Sequence, residues 1–252
     1  MPARPLWKAT IRCGEERFPV KLYSALEDQS VHFHLLHAKS HVRVQQRLAR
    51  PATGQTVENT TKGYEVERDV FVPLTADELD ELAPRESRDI HVLQFVESTD
   101  VEQQWFVQPY WLGPDGREDD YFAFAQALEE TDRVGIARWV MRKKAYVGAL
   151  LARDGYLMLH TLHHAGEVIE ATQLQPPAGR DLSEKEFQLA TQLVDALADE
   201  FKADDYHDEH RERVLELIES KRSGKTLKIV KYVPKHEPDS LAAALKKSLQ
   251  GL

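Results

Sequence analysis

Cysteine is almost missing from this chain: Cys13 is the only one among 252 residues. No disulfide can close within the chain, which excludes a disulfide-stapled secreted scaffold and fits a reducing compartment. Long apolar runs are missing too, none approaching the ~20 residues of a membrane span, and Met1-Pro2-Ala3-Arg4 is not followed by the apolar stretch of a signal peptide. The expectation is a soluble cytoplasmic protein with no membrane partner. Acid is the third thing withheld, and only locally. Asp and Glu supply 42 of the 252 residues, yet none lies between Asp28 and Glu58. That window holds Lys39, Arg43, Arg47 and Arg50, with four histidines. A second acid-free window, Arg133 to Arg153, holds Arg138, Arg142, Lys143 and Lys144. A surface kept clear of carboxylates suits a polyanionic partner, because one misplaced acid repels phosphates along its path.

The net charge of −9 does not argue against such a partner. Residues 181–219 carry 13 acids against Lys185, Lys202, Arg211 and Arg213, which accounts for the whole excess. From Lys221 onward eight basic residues face only Glu237 and Asp239. Charge this segregated makes the overall balance a poor guide to partners.

What is present reads first as β-structure. In residues 7–13 Trp7, Ala9, Ile11 and Cys13 alternate with Lys8, Thr10 and Arg12, the period of a strand with one buried face. Strands are also predicted over 31–35, 69–74, 90–96, 105–112, 134–141, 146–151 and 156–162, with turns at Gly113–Gly116 and Arg153-Asp154-Gly155. So many strands with few helices between them predict a mainly β barrel or sandwich. Thr75 with Glu78 forms a capping box for one short helix, and residues 120–130 predict another. After Pro176-Pro177 the pattern turns helical. Ser183 with Glu186 is a second capping box, followed by Phe187, Ala190, Val194, Leu197 and Phe201 at helical spacing, and a further helix is predicted over 206–221. Beyond Pro234 and Pro238, Leu241, Leu245 and Leu249 mark a short helix suited to docking in a partner's groove.

Within the first basic window Lys39, His41, Arg43, Gln45 and Arg47 fall on alternate positions, so an extended strand would set all five on one face. Val42, Val44, Gln46 and Leu48 would take the other. Such a ribbon can follow a phosphate backbone without reading bases; the competing reading is an edge strand protected by charge. His32, His34 and His37 raise the alternative of a metal-dependent β-barrel enzyme, but no carboxylate accompanies them and the one cysteine is distant. Gly224-Lys225-Thr226 follows a helix and lacks the earlier glycine of a phosphate-binding loop. No catalytic constellation stands out, so neither enzyme activity nor a cofactor is expected.

The order of motifs resembles the prokaryotic Ku proteins. Trp7-Lys8, Phe18-Pro19-Val20-Lys21-Leu22-Tyr23-Ser24-Ala25 and Phe33-His34-Leu35-Leu36-His37 carry the likeness, as do Lys62-Gly63-Tyr64-Glu65, Leu74-Thr75 with Ser87-Arg88, and Pro109-Tyr110-Trp111-Leu112. Ile136-Ala137-Arg138, Leu159-His160-Thr161-Leu162 and Tyr206-His207-Asp208 continue it. The resemblance implies a seven-stranded β-barrel core with a long β-bridge that forms a ring in a homodimer, plus a C-terminal α-helical arm. On that pattern residues 1–180 are core and bridge (bridge about 37–70), 181–224 the arm and 225–252 a tail. It further implies a nucleoid-associated protein that binds double-stranded DNA ends in non-homologous end joining and recruits an ATP-dependent DNA ligase of the ligase D type. The DNA-binding residues expected are Lys39, Arg43, Arg47, Arg50, Arg142, Lys143 and Lys144; the ligase would dock on Leu241, Leu245 and Leu249. Many relatives carry Cys-x-x-Cys soon after the bridge arginines where this chain has Ala49 and Ala52, so no zinc site is expected.

Overall fold

The computed structural model describes residues 3–174, 179 and 182–224. The chain divides into two compact units, one holding the residues up to Asp28 with Leu35–Gln173, the other holding Gln29–His34 with the segment from Leu174 onward. The first unit is built on seven strands: β1 (Trp7–Cys13), β2 (Glu16–Ser24), β5 (Asp89–Glu97), β6 (Phe106–Pro114), β7 (Arg133–Met141), β8 (Lys144–Arg153) and β9 (Tyr156–Leu162). They close into a barrel in the order β1-β2-β6-β9-β8-β7-β5. All neighbours are antiparallel except β1 and β5, whose parallel pairing, Ile11 opposite Ile90, completes the ring.

Period-2 patterning explains the core. Alternate residues Ile11, Val20, Leu22, Ile90, Leu112, Leu157 and Leu159 point inward and are inaccessible to solvent. Truncating any one to alanine leaves a cavity and costs about 2–5 kcal/mol. Helix α2 (Glu118–Glu130) follows β6 and packs on β7, β8 and β9. Its Tyr121 is fully buried; the hydroxyl donates to the carbonyl of Leu112 and accepts from the amide of Leu157 at 2.9 Å. One phenol therefore satisfies a backbone acceptor on β6 and a backbone donor on β9. Burial, the larger effect, holds the Tyr121 phenol up to about 12. Gly148 on β8 is required by close approach, since a Cβ there would overlap the carbonyl of His160 and come within 2.6 Å of the Trp139 ring.

Between β2 and β5 the chain leaves the barrel. It forms a separate two-stranded sheet of β3 (Lys62–Glu67) and β4 (Val70–Leu74), then helix α1 (Ala76–Glu81), whose Thr75–Glu78 capping box is present as predicted. The capping box at Ser183–Glu186 likewise opens α3 (Glu184–Ala196) in the second unit. There Asp208 accepts from the amide of Arg211 and starts α4 (Glu209–Arg222). Arg211 also donates to the carbonyl of Gln29 at 2.6 Å and to its side chain at 3.1 Å, fastening α4 to residues 29–34.

Four expectations need correcting. Residues 31–35 form no strand; of these alternating apolar and histidine residues only Leu35 meets a backbone partner in the turn that follows, accepting from Val44. Strands β2 and β3 were not predicted, because Pro19 interrupts one and Gly63 weakens the other. Helix α3 stops at Ala196, with Leu197 as its C-cap, so Phe201 lies outside it and stacks on Tyr206 instead. Helix α4 begins at Glu209 rather than at residue 206, because the Asp208 carboxylate is the group able to cap it. Residues 241–249, with the expected docking leucines, fall outside the described residues. Among the described residues no helix is long and apolar enough to cross a membrane.

Candidate nucleic-acid interface

The first basic window is not the straight ribbon its alternation suggests. The chain reverses twice. His37 donates to the carbonyl of Val42 at 2.9 Å, Val44 donates to Leu35 at 3.0 Å, and Leu36 pairs with Arg43. The second reversal has Arg50 donating to Gln55 at 2.9 Å and Val57 to Leu48 at 2.9 Å, with Ala49 paired to Thr56. Each turn has a local cause. At the first, the amide of Ser40 donates to Nδ1 of His37 at 3.2 Å and His41 adopts left-handed backbone, φ 54°. At the second, Gly54 supplies φ 68°. Lys39 therefore sits in a turn, Arg43 and Arg47 lie on no common strand, and the five-residue stripe is broken.

The charge survives this change of shape. Lys39, Arg43, Arg47 and Arg50 are all exposed, and none has a hydrogen-bond or carboxylate partner for its side chain among the described residues. The apolar residues beside them are uncovered as well: Leu36, Val42 and Leu48 each keep more than half their surface. So do Tyr64 and Phe71 in the β3–β4 sheet.

The second basic window makes β7, β8 and the two-residue turn between them. Met141 pairs with Lys144, so Arg142 and Lys143 are the central residues, with φ 52° and 61°. Left-handed backbone at both positions is the turn that matches strand twist, and it favours Asn-Gly or Asp-Gly. The β8–β9 turn obeys this rule with Asp154-Gly155, φ 54° and 76°. The β7–β8 turn instead carries two long cations in strained backbone. Their surroundings differ. Lys143 Nζ lies 3.0 and 2.9 Å from the two Asp80 carboxylate oxygens, and those hydrogen bonds hold its ammonium above the ordinary lysine range. Lys144 sits over the Tyr146 ring, 5.4 Å from its centre. Arg142 has no ion-pair partner among the described residues. It lines a groove of about 390 Å³ with Trp7, Glu86, Ser87, Arg88, Val140 and Met141.

Two arginines missed at the sequence level belong here. Arg88 lines the same groove, and Arg138, exposed on β7, lines an adjoining one of about 330 Å³ that shares Ser87 and Val140. Arg138 lay in the acid-free window and could have been chosen; Arg88 was hidden by its neighbours Glu86 and Asp89. The histidines come to less. Nδ1 of His37 is engaged with Ser40, and among the described residues no three His, Cys, Asp or Glu side chains are grouped to hold a metal ion.

The fold is a seven-stranded closed barrel with a long insertion between β2 and β5, its second and third strands in chain order. The family model for the Ku70/Ku80 beta-barrel domain matches residues 13–192. The chain belongs to the Ku family. It is 32% identical to the non-homologous end joining protein Ku 2 of Geotalea uraniireducens over 99% of both chains. Identity is also 32% to the non-homologous end joining protein Ku of Archaeoglobus fulgidus, over 99% of both. The Ku protein of Mycobacterium tuberculosis is 33% identical over 88% of this chain and 84% of its own. On this Ku-family barrel, residues 29–57 of the insertion and the β7–β8 turn both carry exposed cations, and among the described residues only Lys143 of these has a carboxylate partner.

Proposed function

We propose that this Ku-family chain binds the ends of double-stranded DNA without regard to sequence and acts in non-homologous end joining. The observation that carries the reading is the set of exposed cations on the barrel's insertion, Lys39, Arg43, Arg47 and Arg50, without a single carboxylate between Asp28 and Glu58. Guanidinium and ammonium groups on an irregular backbone meet phosphates at any sequence and offer no ordered array to read base edges. Residues 1–180 act as core with bridge, the bridge being about 37–70, and 181–224 as the arm. The names of the relatives, non-homologous end joining proteins, agree with this role.

The working form is a homodimer whose two bridges close a ring around the duplex. Uncovered apolar surface supports a second copy: Tyr64 and Phe71 on the bridge sheet, and Phe187 and Val194 on α3, each more than half exposed. Isologous pairing of two copies is the kind of contact that covers such surface. The acidic arm stays off the DNA path, since its 13 carboxylates would repel phosphate. An ATP-dependent DNA ligase of the ligase D type is the partner, docking on Leu241, Leu245 and Leu249. The ring makes a topological demand. In a gel-shift comparison a linear duplex should bind and a closed circular duplex of the same sequence should not; equal binding to both would end the threading reading.

A further inference from the structure

The cations around the β7–β8 turn do two different things. Arg88 and Arg142 line one groove, and neither guanidinium has a carboxylate partner among the described residues. Two acids stand close by: Glu86 in the groove lining and Asp80 on α1. Lys143 answers both. Its ammonium is hydrogen-bonded to each Asp80 oxygen and also feels the charge of Glu86. Without Lys143 two negative charges would flank the groove; with it, the free charge there belongs to the arginines.

We infer that Arg88 and Arg142 hold one DNA backbone phosphate in this groove, while Lys143 touches no DNA and serves as a positioning residue that masks Asp80 and Glu86. The inference rests on the DNA-binding reading above. A groove of about 390 Å³ has room for a phosphate and a flanking sugar, and Trp7 and Met141 supply apolar wall for the deoxyribose. Two guanidiniums on one phosphate give the forked, charge-assisted contact that Arg forms best. The strained backbone at Arg142 fits the same role, since it sets a long cation at the turn where Asn or Gly would be easier.

The roles separate in salt-dependence measurements on the full chain with linear duplex, read by fluorescence anisotropy between 50 and 200 mM salt. Arg88→Gln combined with Arg142→Asn, the latter at ease in left-handed backbone, should lower the slope of log K against log salt by about 0.9 per chain, the worth of the one phosphate they share, so that about 3.5-fold of the affinity loss between those salts disappears. Lys143→Ala should weaken binding with the slope unchanged, and adding Asp80→Asn should restore it. Asp80→Asn should not rescue Arg142→Asn. A slope lowered by Lys143→Ala and not rescued by Asp80→Asn would make Lys143 a phosphate contact and overturn the assignment. An unchanged slope in the double arginine variant would overturn the groove while leaving the DNA-binding reading intact. Failure of the wild-type chain to bind linear duplex at 50 mM salt would instead remove that reading itself. Circular dichroism of each variant separates loss of contact from loss of fold.

Discussion

Replacing Arg43 and Arg47 together by alanine tests how the insertion grips a polyanion. Four insertion cations, Lys39, Arg43, Arg47 and Arg50, are exposed and have no carboxylate partner among the described residues, so each is free to displace a counterion from DNA. If all four meet phosphates, their slope is about −3.6 per chain, and a fourfold rise in salt weakens binding roughly 150-fold through them alone. Removing two leaves a slope of about −1.8 and a loss of roughly 12-fold over the same range. The double variant should therefore be much weaker at 50 mM salt yet nearly level with wild type at high salt, where the lost contacts no longer count. Anisotropy titrations of a labelled linear duplex at four salt concentrations read this directly. Because the residues sit beside turns whose bonds are made by backbone and by His37, Ser40 and Gly54, the fold should be unaffected. Charge reversal, Arg43→Glu with Arg47→Glu, should abolish binding. An unchanged slope in the alanine pair would place the DNA path elsewhere, whatever the change in affinity.

Tyr121→Phe should destabilise the barrel by about 2 kcal/mol at neutral pH, seen in urea unfolding, because two buried backbone groups lose their partner. The same variant has a pH signature. The folded phenol titrates near 12, against about 10 when unfolded, so wild type keeps this contribution below pH 10 and loses on the order of 3 kcal/mol as pH rises to 12. Tyr110, also raised by burial, is common to both proteins and cancels in the difference; parallel alkaline curves would show that Tyr121 does not titrate as described. Phe187→Asp with Val194→Asp should dissociate a homodimer that covers this helix face, weakening it about a millionfold if each of the four side chains lost from the two copies contributes about 2 kcal/mol. Analytical ultracentrifugation showing an intact dimer would move the interface off α3. Deleting residues 238–252 should spare DNA binding and reduce stimulation of the ligase, and undiminished ligation in a two-component assay would free the tail of that role.

Elements whose signal is local were legible from the chain. Alternation over Trp7–Cys13 and β7, the Asp154-Gly155 turn, and the capping boxes at Thr75 and Ser183 each involve residues within a few positions of one another, so composition and spacing suffice. The absence of acid between Asp28 and Glu58 likewise marked a cation-bearing surface before any fold was known. Closure of the barrel was not local: the parallel pairing of β1 with β5 joins segments separated by the whole insertion. Nor could spacing distinguish a straight ribbon from two reversals, since alternating charge is compatible with either, and the backbone bonds around His37 and Arg50 decided between them. The clearest case is the run Arg142-Lys143-Lys144, three equal cations by composition. Tertiary structure separates two of them, because α1 brings Asp80 to Lys143 and Arg142 is left beside Arg88, while Lys144 lies over Tyr146 two residues along its own strand. A side chain's charge is written in the chain, but whether that charge is free depends on what folding sets next to it.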